Sequence, residues 1–486
     1  MRITYQGPPT EFGWLLPAPA DVAVTQSSEQ LFTDLDTNFA PRFILQTEFE
    51  EGCDQLLANR GGGDVADAAP EAGQEPGGVQ VLSREAVGPF DVATLQAEGV
   101  EDLRAWLDEN GYQIPQATDE KLAPYIELGA AFVAVKLLPD RDSGDISPLR
   151  LSFGASRPAI PIIPTSVAAE NDMGIIVHVL GQSRAIPLNY RHVVINEAAI
   201  DWQRGGQNYA DVVSQAADEA QGKAFATDYA GPAGNPPAPW SDEVLDAVRA
   251  AETPDDLLAA LGLFDLFFQP LDADLQRVLS TGLILPEDIP LTDYLGCPGC
   301  FEDAEVEVDG AALATVIADE LNPPREALAT LFEANPQLTR LYSTLSPSEM
   351  DLDPEFEFNA DLGEVPNRRT AIQRISCRDG QPDFEAAIIE TPSGIRFRLV
   401  DGLNPNIIAR QDGETVRGVD VPGARVVERT FEAGASEVEI DATDDIVAMN
   451  PIGFGEGSGC ACDASDGSAP TALAGLLLLL GLRRRR

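Results

Sequence analysis

Histidine is nearly missing from this chain, with two in 486 residues. That withdraws the commonest general base and transition-metal ligand from almost every position. Basic residues are scarce as well: 32 Lys and Arg stand against 80 Asp and Glu, for a net charge of −48. Attraction to phosphate needs clustered Lys and Arg, so nucleic acid and anionic membrane surfaces are poor partners for such a body. A long apolar run is absent until the extreme C-terminus. The opening residues, MRITYQGPPTEFGWLLPAPADVAV, hold no basic stretch followed by an apolar core and a small-residue cleavage site. No second CxxC and no paired histidines accompany Cys297 and Cys300 in CPGC, which leaves no zinc-ligand set. Core-forming material is not lacking: 44% of residues are hydrophobic, enough in a chain this long for two or three packed domains rather than a disordered acidic tail.

Punctuation by Pro, Gly and polar clusters predicts an α+β fold. Residues 1–235 read as a strand-rich domain with a few helices. Ile3 and Tyr5 alternate with polar neighbours as in a strand, QGPP turns, and FGWLLPAP makes a second strand. Residues 61–78, GGGDVADAAPEAGQEPGG, bury too little to fold and are expected to be a disordered loop. VQVLSREAVGPFDVATLQA then reads as strands. VEDLRAWLDENGYQIP reads as an amphipathic helix with Leu103, Trp106 and Leu107 on one face and Gly111 past its end. AFVAVKLLP, LRLSFGAS, PIIPTSVA and GIIVHVLG read as further strands, and NYADVVSQAADEAQGKAF as a helix. Residues 236–345 are expected to be mainly helical. Ser241 caps one helix, Thr253 and Pro254 start another, and Pro323 with Pro324 separates GAALATVIADEL from REALATLFEA. Residues 346–448 alternate at period two, either as a small β domain or as a return to the first sheet. Residues 449–468 form a flexible stalk, and 469–486 a single hydrophobic C-terminal helix with an arginine cluster.

That C-terminal segment decides where the protein is expected to work. Ala469 to Leu482 carries no charge and seven leucines, but as a helix it reaches only about 21 Å against about 30 Å of hydrocarbon. Arg483, Arg484, Arg485 and Arg486 follow directly. Arginines beside an apolar helix prefer the cytoplasmic side, so the acidic body is expected to be exported. A core helix is not normally followed by four arginines, and a permanent tail anchor would want a longer span. Cys460 and Cys462 in SGCAC, the polar spacer, the leucine run and the arginine block together resemble the myxobacterial sorting signal MYXO-CTERM. That resemblance implies export, cleavage at Cys460 by a sorting protease of the membrane, and attachment at the cell surface. An exported chain without a visible signal peptide also leads us to expect an in-frame extension upstream of Met1.

A second resemblance runs through the body. ITYQGPPTEFGWLLPAPADVAV, RFILQTEFEEGC, DMGIIVHVLGQSRAIPLNYRHVVINEAAIDW and LTRLYSTLSPSEMDLDP are similar to the secreted myxobacterial proteins of domain-of-unknown-function family 2330, roughly from Ile3 to Cys377. Members of that family typically begin with a signal peptide and a cysteine-containing segment, which this chain lacks. The family carries no established activity.

Candidate chemistry is thin. CPGC has the spacing of a redox motif, but acidic FEDAEVEVDG follows it where a βαβ helix should stand, so a structural disulfide is the better reading. In an exported body Cys53, Cys297, Cys300 and Cys377 are expected to be oxidised, with Cys297 and Cys300 able to pair with each other. His178 and His192 lie in alternating apolar segments, as core or sheet-surface histidines do. Asp140 to Asp145, DRDSGD, spaces oxygens like a calcium loop but lacks the EF-hand spacing and terminal Glu, so a tight turn explains it more simply. GFGEGSG, Gly453 to Gly459, has no strand and helix to make it a dinucleotide loop. The sequence thus nominates no catalytic, metal or cofactor residue. It points to an exported, surface-anchored structural or binding module, with an extracellular hydrolase using two carboxylates or a calcium-dependent adhesive module as alternatives. Two carboxylates facing across a deep cleft would favour the hydrolase.

Overall fold

A computed structural model describes residues 1–3, 5, 8, 11–50, 80–139, 141, 145–263, 271–301, 304–378 and 381–452. The chain is of mixed α and β type, with strands gathered in one six-stranded sheet, two four-stranded sheets and several two-stranded ribbons.

The first four-stranded sheet runs in the order Gly13–Ala18, Ala131–Leu137, Phe90–Gln96, Gln80–Val87, all antiparallel. Helix Val100–Glu109 covers one face of it. Its Leu103, Trp106 and Leu107 are spaced to share a stripe, and all three are buried against Leu15, Ala93 and Leu95. Burying each such side chain stabilises by about 1.5–3 kcal/mol. Gly111 follows the helix at φ 70°, a left-handed turn that costs glycine nothing.

The six-stranded sheet has the order Glu437–Asp441, Ala424–Arg429, Arg191–Ile195, Ala224–Pro232, Gln337–Leu345, Met173–Gly181. Its one parallel pair, Arg191–Ile195 with Ala224–Pro232, is joined through helix Tyr209–Glu219. That helix buries Val212, Val213, Ala216 and Ala217 in the largest apolar cluster. The other four-stranded sheet, Arg396–Arg398, Ile388–Glu390, Arg368–Ile375, Arg42–Phe49, contains a second parallel pairing, Arg42↔Arg368 through Phe49↔Ile375. Hydrogen-bonded ladders therefore cross both position 235 and position 345. The strands after 346 pair with Arg42–Phe49 and Arg191–Ile195 of the N-terminal half, and among the described residues none joins the first sheet.

Between residues 242 and 321 the helices Asp242–Arg249, Pro254–Ala260, Ala273–Val278, Leu291–Gly296 and Gly310–Val316 surround an apolar cluster of their own that includes Leu257, Leu279, Leu313 and Ile317. Gly310 touches the Asp242–Arg249 helix so closely that a Cβ there would lie 2.0 Å from the Val248 carbonyl oxygen. No helix of the described residues is long and apolar enough to cross a membrane. The C-terminal segment 469–486 lies outside them.

Three local readings need correction. Ile3 and Tyr5 lie in no strand; they pack instead beside the cluster of Phe12, Leu16 and Phe90. PIIPTSVA is not a strand, because Pro164 opens a 3-10 turn over Pro164–Val167. Pro323 and Pro324 do not separate two helices. They sit in the first turn of Asn322–Ala334, where missing N–H groups cost little, and the chain reaches that turn through a wider π-type turn over Ile317–Leu321.

Candidate functional site

A cleft of about 680 Å³ opens between the first sheet and the helices. One wall carries Thr25 and Gln26 from strand Ala23–Gln26, Gly88 and Pro89 from a hairpin turn, Arg141 and Asp145, and Arg150 from strand Leu149–Ser152. Facing them are Arg277 and Val278 at the end of helix Ala273–Val278, Ser280 and Thr281 just beyond, Asp319 and Glu320 on the π-type turn, and the two prolines. Such π turns often mark functional positions. Here the physical cause is on the chain: Pro323 and Pro324 have no N–H to donate back, so the regular i→i+4 ladder cannot continue through Asp319 and Glu320. Arg141 is paired with Asp145 at 3.5 Å. Arg150, Arg277, Asp319 and Glu320 form no salt bridge with any described residue, although all four line the same cleft.

The helical wall is held rigidly from behind. Asp272 caps helix Ala273–Val278 by accepting from the Asp274 and Leu275 amides. Its carboxylate also takes the Arg325 guanidinium at 2.7 and 2.8 Å. Asp274 accepts from the same Arg325 Nη2 at 2.9 Å, from Ser28 Oγ at 2.6 Å and from the Glu29 amide at 2.8 Å. Ser28 in turn caps helix Glu29–Phe39 through the Leu31 amide. Arg325 is 3% exposed and stacks at 4.0 Å on the Trp240 ring. This buried network ties helices of both walls' supports together and fixes where Arg277 emerges.

A second polar group runs through the six-stranded sheet. His192 Nδ1 lies 2.8 Å from Glu428 Oε1, and its Nε2 2.9 Å from Thr227 Oγ1. A carboxylate only accepts, so Nδ1 carries the proton. Burial lowers the His192 pKa against the pull of Glu428, which keeps the ring neutral and leaves Nε2 to accept from Thr227. Burial works to raise the Glu428 carboxyl, but the hydrogen bond from His192 and those from Ser436 and the Arg184 charge outweigh it and hold it low. The spacing is that of a nucleophilic triad. Thr227 and His192 are only 7% and 4% exposed, and Thr227 Oγ1 is further occupied by Arg184 Nη2 at 3.2 Å, so the group braces three strands and leaves no room for a substrate at the hydroxyl.

Next to Thr227 the ladder slips: Thr227 faces Leu341 and Tyr229 faces Arg340, so Asp228 is the extra residue of a bulge. Asp228 is fully buried and accepts from Tyr209 Oη and Arg340 Nη1. Burial pushes its carboxyl up, with Arg340, Tyr209 and Arg369 opposing. Across the next ladder Arg340 faces His178. Burial, reinforced by the Arg340 charge, lowers the His178 pKa to about 3, and its Nε2 has no hydrogen-bond partner. The folded state thus keeps His178 neutral while the unfolded chain protonates it near the usual value of about 6.5. The sign follows from linkage: nothing is lost above that pH, and stability falls as the pH drops from about 6.5 towards about 3, by on the order of 4–5 kcal/mol from this group. His178→Leu should flatten that part of the acid unfolding profile. An unchanged profile in chemical denaturation between these pH values would refute the assignment.

Of the residues singled out by the sequence, Cys297 and Cys300 are disulfide-bonded, with Cα atoms 5.3 Å apart. Cys297 ends helix Leu291–Gly296, and the negative end of a helix dipole disfavours the thiolate that redox catalysis needs. Cys377 is disulfide-bonded too. Cys53, Cys460, Cys462 and Arg483 to Arg486 lie outside the described residues, as does GFGEGSG, and of DRDSGD only Arg141 and Asp145 are described. Among the described residues no group of three or more His, Cys, Asp or Glu could hold a metal ion. Of the cleft residues only Arg141 and Asp145 fall in a stretch the sequence singles out as candidate chemistry, DRDSGD, which reads as a turn. Pro323 and Pro324 were the one other local signal at the cleft, and they pointed to a helix break.

Residues 1–238 match the family described as "Uncharacterized protein conserved in bacteria (DUF2330)". Nothing matches among curated proteins or among solved structures. The matched segment stops just after strand Ala224–Pro232, whose next neighbour in the sheet is Gln337–Leu345.

Proposed function

We propose that this chain is an exported, cell-surface-anchored binding module whose ligand occupies the cleft between the first sheet and the helices. The observation that carries the binding reading is the cleft itself: concave, within the range of about 300–1,000 Å³ usual for ligand sites, and lined by Arg150, Arg277, Asp319 and Glu320, which form no salt bridge with any described residue, in front of a buried ionic network. Disulfide bonds at Cys297–Cys300 and at Cys377 support an oxidising compartment. In this reading the family unit extends past residue 238 to about Cys377, because its strands need partners supplied from there. Gly459 to Arg486 acts as a MYXO-CTERM-type sorting signal, cut at Cys460 by a sorting protease while Arg483 to Arg486 hold the cytoplasmic end.

The test is recovery of the protein from its native cells by fractionation, with mass mapping under non-reducing conditions. A surface fraction ending near Cys460 is expected, with Cys297 linked to Cys300 and Cys377 linked to Cys53, since Cys377 Sγ lies 3.8 Å from the carbonyl oxygen of Glu50, close in sequence to Cys53. Cytosolic protein with free thiols would overturn export, and surface protein ending at Arg486 would replace the sorting signal by a permanent anchor.

One observation favours the hydrolase as a second reading: Asp145 stands on one wall and Asp319 and Glu320 on the other. Release of reducing ends from a polysaccharide, abolished by Glu320→Gln, would establish it.

A further inference from the structure

The cleft gathers charges of both signs, and besides the Arg141–Asp145 pair it holds four that form no salt bridge with any described residue. Elsewhere on the described chain arginines are commonly bridged, for example Arg84 to Asp91 at 2.7 Å and Arg191 to Glu439 at 2.6 Å. Arg150 and Arg277 are not, nor are Asp319 and Glu320 within the same lining. Four long exposed side chains could have relaxed into two pairs; the walls hold them away from one another. Arg277 springs from a helix whose start is held by Asp272 and Asp274 onto Arg325, and its charge also acts on Glu29. Asp319 and Glu320 are fixed by the π-type turn that the two prolines impose.

A purely anionic ligand would meet the arginines but also two unneutralised carboxylates, inside the field of a chain at net charge −48. A purely cationic ligand would meet the converse problem at Arg150 and Arg277. We propose that the cleft takes a zwitterionic ligand, whose carboxylate is held by Arg150 and Arg277 and whose ammonium is held by Asp319 and Glu320. Such a ligand is neutral overall, so the chain's large negative charge neither repels nor attracts it at long range. Thr25, Gln26, Ser280 and Thr281 supply hydroxyl and amide groups for its polar middle, and Val278 and the prolines a small apolar floor. Short peptides with free ends and amino sugar acids share this chemistry. The inference rests on the binding-module reading and deepens it.

The experiment is calorimetric titration of the full chain with triglycine, N-acetyltriglycine, triglycinamide and N-acetyltriglycinamide, with muramic acid as the amino sugar acid arm. Triglycine or muramic acid should bind at least tenfold more tightly than any probe lacking one of the two charges, and its affinity should change less than about twofold between low and physiological salt, where the Debye length falls from about 30 to about 8 Å. Which of the two binds identifies the source of the ligand. Arg277→Met should bring triglycine down to the affinity of triglycinamide, and Asp319→Asn with Glu320→Gln should bring it down to that of N-acetyltriglycine. These side chains are exposed, so thermal unfolding should be unchanged in each variant. N-acetyltriglycine binding as tightly as triglycine would overturn the zwitterion while leaving a binding cleft in place. No saturable binding of any probe would overturn both.

Discussion

Arg325→Met is expected to cost about 3–5 kcal/mol of folding stability, because it removes one partner of a buried ionic group and leaves the others behind. Asp274 is 4% exposed, and it loses the only cation hydrogen-bonded to it among the described residues. Asp272 keeps its capping role but loses two charge-assisted bonds. The loss should be larger than packing predicts, since Met fills much of the space over Trp240. Adding Asp274→Asn to Arg325→Met should recover part of it, because the stranded charge is then gone. Urea unfolding of the single and double variants measures both values. A cost below about 1 kcal/mol for Arg325→Met would show that the network contributes little.

Asp228→Ala is expected to have an effect of similar size, about 3–5 kcal/mol, for the mirror-image reason. Arg340 is 5% exposed, and its remaining carboxylate, Asp36, is a looser partner at 3.4 Å on a half-exposed side chain. Tyr209→Phe removes one hydrogen bond to the same carboxylate and should cost about 1.5–3 kcal/mol. The order Asp228→Ala above Tyr209→Phe is the discriminating result. Equal costs would mean that the tyrosine, rather than the arginine, compensates the buried charge.

Elements whose causes are local were readable from the sequence. The stripe of Leu103, Trp106 and Leu107 defined its helix, and Thr253 caps Pro254–Ala260 in a full capping box with Asp256. Ser241 accepts from the Val244 amide as its position suggested. What could not be read is what long-range pairing decides. Nothing near Arg325 announces Asp274, 51 residues away, and nothing near Ser28 announces that its partner lies 246 residues on. The cleft is made of seven short stretches with no shared motif, so its residues become a group only when the first sheet and the helices meet. Pro323 and Pro324 misled for a related reason: their effect depends on the turn that precedes them, and a π-type turn is not a pattern that periodicity reveals.

The parallel ladder between Arg42–Phe49 and Arg368–Ile375 has a consequence in time. A ribosome adding about 5–20 residues per second needs roughly 15–60 s to travel from one strand to the other. Throughout that interval the earlier strand has made its chain but has no neighbour on that side, and Ala224–Pro232 likewise waits for Gln337–Leu345. Closing loops this long is slow once the chain is complete. The same delay leaves unpaired edges open to other chains, so the acidic surface, by keeping nascent copies apart, would matter most before the fold exists.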